Sequence, residues 1–290
     1  MIKIEPKVAF NVPDVLGECP RWNREEHCLY WVDIARNALH RLDPASGQYD
    51  SRTFDQPVGC FAFRRAGGLI LAMKDGFATI GDLFAPLLPF GDAPLLGNPE
   101  LRFNDGRTDR DGNFWVGSVN TAKSDHNAAL YKLSPDGRCT FVEGGMLTCN
   151  GASFSPDGMR FVHTDTPSHT LRAYDVIEGR LENPTILHQF PFGEGRPDGG
   201  SHDADGYYWS ALFDGGRVVR LSPAGEIVAT VELPVSRPTM IAFGGDDLRT
   251  AYVTTARVGL SDADLLEQRS AGALFTFRVE VPGLPEYHFG

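Results

Sequence analysis

Glu18, Asn104, Asn150 and Asp198 carry carboxylate or carboxamide oxygens, hard donors that suit a divalent cation. Each lies 11 to 13 residues ahead of a short aromatic or β-branched run: Glu18 before Trp31, Asn104 before Trp115, Asn150 before Val162, Asp198 before Trp209. Thr239 stands at the same offset from Tyr252, while the stretch ahead of Leu71 offers only Gly59 and Cys60. Taken singly, Asn104-Asp105-Gly106, Asn150-Gly151 and Asp198-Gly199 read as turns, and Glu18 as a loop residue. Their shared register is what makes them one candidate polar site. Calcium, magnesium, manganese and ferrous iron match such donors; zinc accepts them too, although no His-rich or Cys-rich set favours it.

A shared register requires a repeat. The runs around Trp31, Leu71, Trp115, Val162, Trp209 and Tyr252 recur at intervals of 40, 44, 47, 47 and 43 residues. Turn signals such as Asp111-Gly112, Pro156-Asp157-Gly158 and Asp205-Gly206 precede the later runs. Alternating strands such as Leu130-Tyr131-Lys132-Leu133 and Val218-Val219-Arg220-Leu221 follow them. A period in the forties with about four strands per unit is that of a propeller blade. The expectation is therefore an all-β, six-bladed β-propeller forming one domain over residues 1–290, with equivalent positions of successive blades converging around the central channel. Lys3 to Val12 is expected to give a closing strand to the last blade, and Phe84 to Pro99 reads as a long, proline-rich loop.

Composition narrows the partners. A net charge of -11 without a Lys/Arg run argues against a nucleic-acid backbone. The longest apolar stretches, such as Gly68 to Met73, are too short to span a bilayer, and the start lacks a signal-peptide apolar core, so the cytoplasm is expected. Five cysteines without a Cys-x-x-Cys pair read as buried thiols, and nothing around Cys149 signals a lowered pKa. His163 and His202 read as structural, and Trp31, Trp115 and Trp209 as core. No Gly-x-Ser-x-Gly elbow supports a serine hydrolase.

Leu16-Gly17-Glu18-Cys19-Pro20, Arg102-Phe103-Asn104-Asp105-Gly106, Asn150-Gly151 with Phe154-Ser155-Pro156-Asp157-Gly158, His163-Thr164-Asp165-Thr166 and Arg196-Pro197-Asp198-Gly199 together resemble the regucalcin/gluconolactonase family of lactonases, also called senescence-marker-like proteins. The likeness runs nearly the whole chain, through Thr254-Thr255-Ala256-Arg257. It implies that Glu18, Asn150 and Asp198 bind one divalent metal ion (Ca, Zn, Mn or Fe(II)), that Asn104 touches substrate or a water on the metal, and that Arg102 lies beside the substrate. The family pattern often continues after Gly117 with Met and an acidic residue; here the stretch is Ser118-Val119-Asn120-Thr121-Ala122, which leaves the sugar open.

The expected activity is metal-dependent hydrolysis of a sugar-acid lactone to its aldonate in carbohydrate catabolism. Asp198 is the expected proton acceptor, with Asn104 and Arg102 donating to developing charge. Arg102, Arg196 and Arg237 near the mouth could also recognise an acidic substituent, so gluconate, xylonate, arabinonate, galactonate and sulfonated lactones all stay open. A promiscuous ester or organophosphate hydrolase and a non-catalytic calcium-binding or interaction propeller are the alternatives. The expected partner is a small sugar lactone, with no nucleic acid, membrane or obligate protein partner.

Overall fold

The computed structural model describes residues 4–290. Six four-stranded antiparallel sheets succeed one another along the chain as the blades of a β-propeller. The first blade shows the pattern: Gly17–Asn23, Cys28–Asp33 and Ala38–Leu42 are almost wholly buried, while the outermost strand, Tyr49–Thr53, is half-exposed. Inner strands packed on both faces cannot alternate apolar and polar residues, which is why Cys28-Leu29-Tyr30-Trp31-Val32 reads as one apolar run. All six sequence anchors fall on the second strand of their blades.

Three of those anchors share a device. The buried indoles of Trp31, Trp115 and Trp209 donate to Asp14, Asp109 and Asp203 at 2.8, 2.7 and 2.9 Å. A buried indole N–H needs such an acceptor, so each tryptophan fixes its blade both by packing and by one hydrogen bond.

The ring closes through the segment expected to supply a strand, of which residues 7–10 do so. Lys7–Phe10 adds to the last blade beside Leu274–Arg278, with Val8 opposite Phe275, and Thr239 Oγ1 donates to Gly17 O at 2.5 Å to join the last blade to the first. Lys3 of the expected closing segment lies outside the described residues. One expectation is corrected. Phe84 to Pro99 is not only loop, because Leu88–Phe90 within it pairs with Phe77–Ile80 as the outer strand of the second blade. Pro89 lacks an N–H, which hid the strand from a sequence reading but is tolerated at a sheet edge. A second correction concerns the thiols: all five cysteines are free, but Cys139 is only half-buried. No helix among the described residues is long and apolar enough to cross a membrane.

The feature that positions the site is a break in register repeated in every blade. The pairing of the innermost with the second strand shifts between Glu18 and Arg21, Val58 and Cys60, Phe103 and Gly106, Asn150 and Ser153, Pro197 and Gly200, and Pro238 and Met240. Such bulges re-aim side chains and bend strands. Glu18, Gly59, Asn104, Asn150, Asp198 and Thr239 all sit at these shifts, so the equivalence read from the spacing is structural.

Gly59 explains the empty second position. A Cβ there would lie 2.3 Å from the Phe103 carbonyl oxygen, so this blade approaches its neighbour too closely to present a side chain.

Candidate metal and substrate site at the channel mouth

Glu18, Arg102, Asn104, Asn150, Lys123 and Asp198 line one cavity of about 460 Å³ at the mouth of the channel. The four oxygen-bearing residues are buried. Asn150 is the hub: its Nδ2 donates to Asp198 Oδ1 at 2.5 Å and to Thr166 Oγ1 at 2.8 Å, and its Oδ1 accepts from Asn104 Nδ2. Gly151, with φ of 69°, lets the chain turn directly after this hub. Asn104 Nδ2 also donates to Cys149 O at 3.1 Å, and Asn104 Oδ1 accepts from Arg102 Nη1 at 2.8 Å. A chain of contacts thus runs Arg102, Asn104, Asn150, Asp198 across three blades.

Glu18 faces this chain from the first blade, and its carboxylate accepts only from its neighbour Cys19 N, at 3.3 Å, among the described residues. Burial pushes its carboxyl well up, and repulsion from Asp198 and Asp105 adds to that; Cys19 N–H and Arg102 oppose it. Asp198 is pushed up to about 8, chiefly by burial and then by Asp105, against Arg196, Lys123 and the Asn150 hydrogen bond. Two carboxylates desolvated together without a contacting cation are costly in the ionised form.

That cost is what a divalent cation would remove. Among the described residues no three His, Cys, Asp or Glu side chains gather as a metal cluster, so the donors on offer are two carboxylates with carboxamides. An all-oxygen set of this kind fits a hard cation better than zinc. The Asn150 oxygen now faces Asn104; a carboxamide presents acceptor and donor on opposite sides and can exchange them by turning over.

The comparisons with known proteins place the chain in a family. The family model described as the SMP-30/Gluconolactonase/LRE-like region matches residues 16–257. The chain belongs to that family. It is similar to a protein of Pseudomonas putida named 6-deoxy-6-sulfogluconolactonase, 41% identical over 285 residues and 97% of each chain. Human regucalcin is 33% identical over 284 residues, 94% of each chain. Among solved structures, a regucalcin from Agrobacterium tumefaciens described as a calcium-binding protein superposes with a TM-score of 0.95 at 25% identity, covering 99% of this chain and 98% of that one.

Within this SMP-30/gluconolactonase-like frame, the structure gathers Glu18, Arg102, Asn104, Asn150 and Asp198 at one mouth with Arg196 beside them, whereas Arg237, expected there too, does not line the cavity and pairs with Asp214. It also adds residues the sequence reading missed. Asp105, buried beneath the site, accepts from Gly106 N and Ala152 N at 2.7 and 3.0 Å and so ties the third blade to the fourth. Thr166 holds Asn150. Lys123 enters from the turn after the strand Phe114–Asn120, with a positive φ of 55° and its N–H donating to Asn120 O at 3.2 Å. The stretch that departs from the family pattern is accounted for locally: Ser118 and Asn120 are buried, and Val119 lines the mouth.

His202, read as structural, is buried with Nδ1 2.9 Å from Ser153 Oγ, and burial pulls its imidazole down to about 3. A ring that stays neutral through the working range cannot shuttle protons there.

Proposed function

We propose that the protein hydrolyses a sugar-acid lactone to the aldonate at the channel mouth, using one divalent cation held by Glu18, Asn150 and Asp198, as a step in cytoplasmic carbohydrate catabolism, with the six blades acting as one domain. The observation that carries this reading is the buried Glu18–Asp198 carboxylate pair, lacking a contacting cation among the described residues, beside a guanidinium with donors to spare. The relative in Pseudomonas putida is named for a lactonase activity, and the Agrobacterium regucalcin is described as calcium-binding, which favours calcium among the candidate ions.

When bound, the cation supplies positive charge that polarises an ester carbonyl and acidifies water. Asp198 takes the proton of the attacking water as its oxygen bonds to the lactone carbonyl carbon. Arg102 donates to the oxygen on which negative charge develops. Its Nη1 is occupied by Phe103 O and Asn104 Oδ1, both at 2.8 Å, which orients the guanidinium and leaves Nη2 without a protein partner among the described residues. Asn104, whose two N–H groups go to Cys149 O and Asn150 Oδ1, stands at the substrate side of the mouth and holds Arg102 and Asn150 in place. Breaking the ring C–O bond then yields a hydroxyl that recovers the proton from Asp198, and the new carboxylic acid ionises to the aldonate.

Metal-stripped protein assayed on a panel of aldono-lactones, with calcium, manganese, zinc or ferrous iron restored in turn, tests the reading through acid release above the spontaneous rate. Cation-dependent acceleration of one or a few lactones is expected. Acceleration by no cation would make this a binding propeller, and faster turnover of aryl esters or organophosphates would make it a general esterase.

A pH dependence follows from the raised carboxyls. Folding without a cation holds protons on Glu18 and Asp198 that the unfolded chain releases, so that form is stabilised on the acid side and loses stability as pH rises toward about 8. A cation binds the ionised pair and stabilises by mass action, so its effect grows over the same range. The rise in Tm on adding about 1 mM calcium should therefore be larger near pH 8 than near pH 5.5, and an equal rise at both would count against cation binding by this pair.

A further inference from the structure

Three cationic side chains from two blades surround the same cavity: Arg102 and Lys123 from the third, Arg196 from the fifth. Their charge is poorly balanced. Neither Arg102 nor Lys123 forms an ion pair among the described residues; the Lys123 ammonium contacts only the neutral Thr148 hydroxyl, and Arg102 gives Nη1 to neutral oxygens. Arg196 pairs with Asp214 at 2.5 Å, but the same carboxylate also takes Arg237 at 2.6 Å, so two guanidiniums share one negative charge. Asp165, the carboxylate whose charge acts most strongly on Lys123, already accepts from Leu147 N and Thr148 N at 3.1 and 2.8 Å.

Once the two carboxylates of the cation site are neutralised, the wall of the cavity is left net positive. One developing oxyanion needs one such partner, not three spread across two blades. Unpaired cations lining a partly desolvated cavity cost energy unless an anion fills the place.

We infer that Lys123, with Arg196 across the cavity, reads a second, permanently anionic substituent on the lactone, such as a sulfonate, phosphate or carboxylate carried away from the reacting ester. Lys123 is a specificity residue and takes no part in bond breaking. The crowding is mutual: burial first, then repulsion from Arg102 and Arg196, pulls the Lys123 amine down to about 8, and an anion seated between them relieves that repulsion. Lys123 lies in an exposed turn, so its replacement leaves the blades intact.

The inference rests on the lactonase reading, and the test separates the two. In the cation-loaded wild-type enzyme, kcat/KM is compared for an unsubstituted aldono-lactone and for versions bearing a sulfonate, a phosphate or a carboxylate at the far end. The wild type is expected to favour a charged substrate, and the three arms identify which anion. Lys123→Gln should lower kcat/KM for that substrate by roughly 10- to 100-fold and for the neutral lactone by less than about 3-fold, and Lys123→Arg should recover most of the loss. Equal losses on both substrates, or wild-type preference for the neutral lactone, would overturn the inference. Turnover of no lactone would defeat the lactonase reading alone; calorimetric binding of the sulfonated aldonate, weakened in Lys123→Gln, would still support the anion site, and unchanged binding would remove it.

Discussion

Asp198→Asn is expected to lower lactone turnover by roughly 10²- to 10⁴-fold, the range that a positioned general base contributes. The substitution is nearly isosteric, and the new carboxamide oxygen can still accept from Asn150 Nδ2, so the chain from Arg102 to the fifth blade survives. What is lost is the negative charge. That charge has two proposed uses, to hold the cation and to accept the water's proton, and calorimetry at saturating calcium separates them. Loss of turnover with the cation still bound assigns the proton-accepting role to Asp198. Loss of both leaves Asp198 as a ligand only, and wild-type turnover with cation bound removes it from the chemistry. Glu18→Gln provides the contrast, since it should weaken cation binding while leaving the Asp198 carboxylate in place.

Stability should move the other way. Asp198 is buried and repelled by Asp105, so a neutral isostere relieves a desolvated charge. Cation-free Asp198→Asn should melt no lower than the wild type, and higher toward pH 8, where the native carboxyl ionises. A site kept at a cost to the fold, and lost without cost to it, is the mark of a functional arrangement.

The blade count and the site register were legible because both follow from one periodicity. Trp31, Trp115 and Trp209 mark second strands, and a step of 11 to 13 residues back from each reaches a bulge that every blade repeats. Residues that serve the site without obeying the period were hidden. Lys123 reaches the cavity from a turn, and nothing in Thr121-Ala122-Lys123 distinguishes it from a solvated surface lysine until the cavity is seen. The strand Leu88–Phe90 was masked by Pro89, whose missing N–H matters only in the interior of a sheet. Arg21 and Glu286 meet across 265 positions, a contact no local pattern encodes.

That last contact supports the largest stability effect. Three residues beyond Glu18 and Asn104 on the same inner strands, Arg21 and Arg107 point into the channel and converge on Glu286 Oε1, at 3.3 and 2.6 Å. Arg21 is 2% exposed, and its Nη2 also donates to Gly106 O; Arg107 donates to Ser201 Oγ at 2.7 Å and Gly200 O at 3.0 Å. The segment carrying Glu286 is itself stitched across the ring, with Ala204 N donating to Pro282 O and Phe289 N to Phe63 O, both at 2.8 Å. Burial pushes the Glu286 carboxyl up, but Arg107 and Arg21 outweigh it and hold it below the usual glutamate range. Glu286 is thus ionised in the folded protein at neutral pH and is the one carboxylate in contact with both guanidiniums, while Asp105 acts on each from a greater distance.

Glu286→Ala should therefore cost about 3–5 kcal/mol, because it leaves two desolvated guanidiniums without a contacting carboxylate. Denaturant unfolding with an unchanged m-value would measure it, and a loss under about 1 kcal/mol would show that water or backbone carbonyls already solvate both arginines. The penalty lies in the orphaned charges and not in the lost contact. Replacing Arg21, Arg107 and Glu286 together by apolar residues of similar volume should then destabilise less than Glu286→Ala alone. If the triple variant proves the weaker protein, the hydrogen bonds from Arg107 to Ser201 and Gly200 are what hold the third blade to the fifth, and the charge pairing is secondary to them.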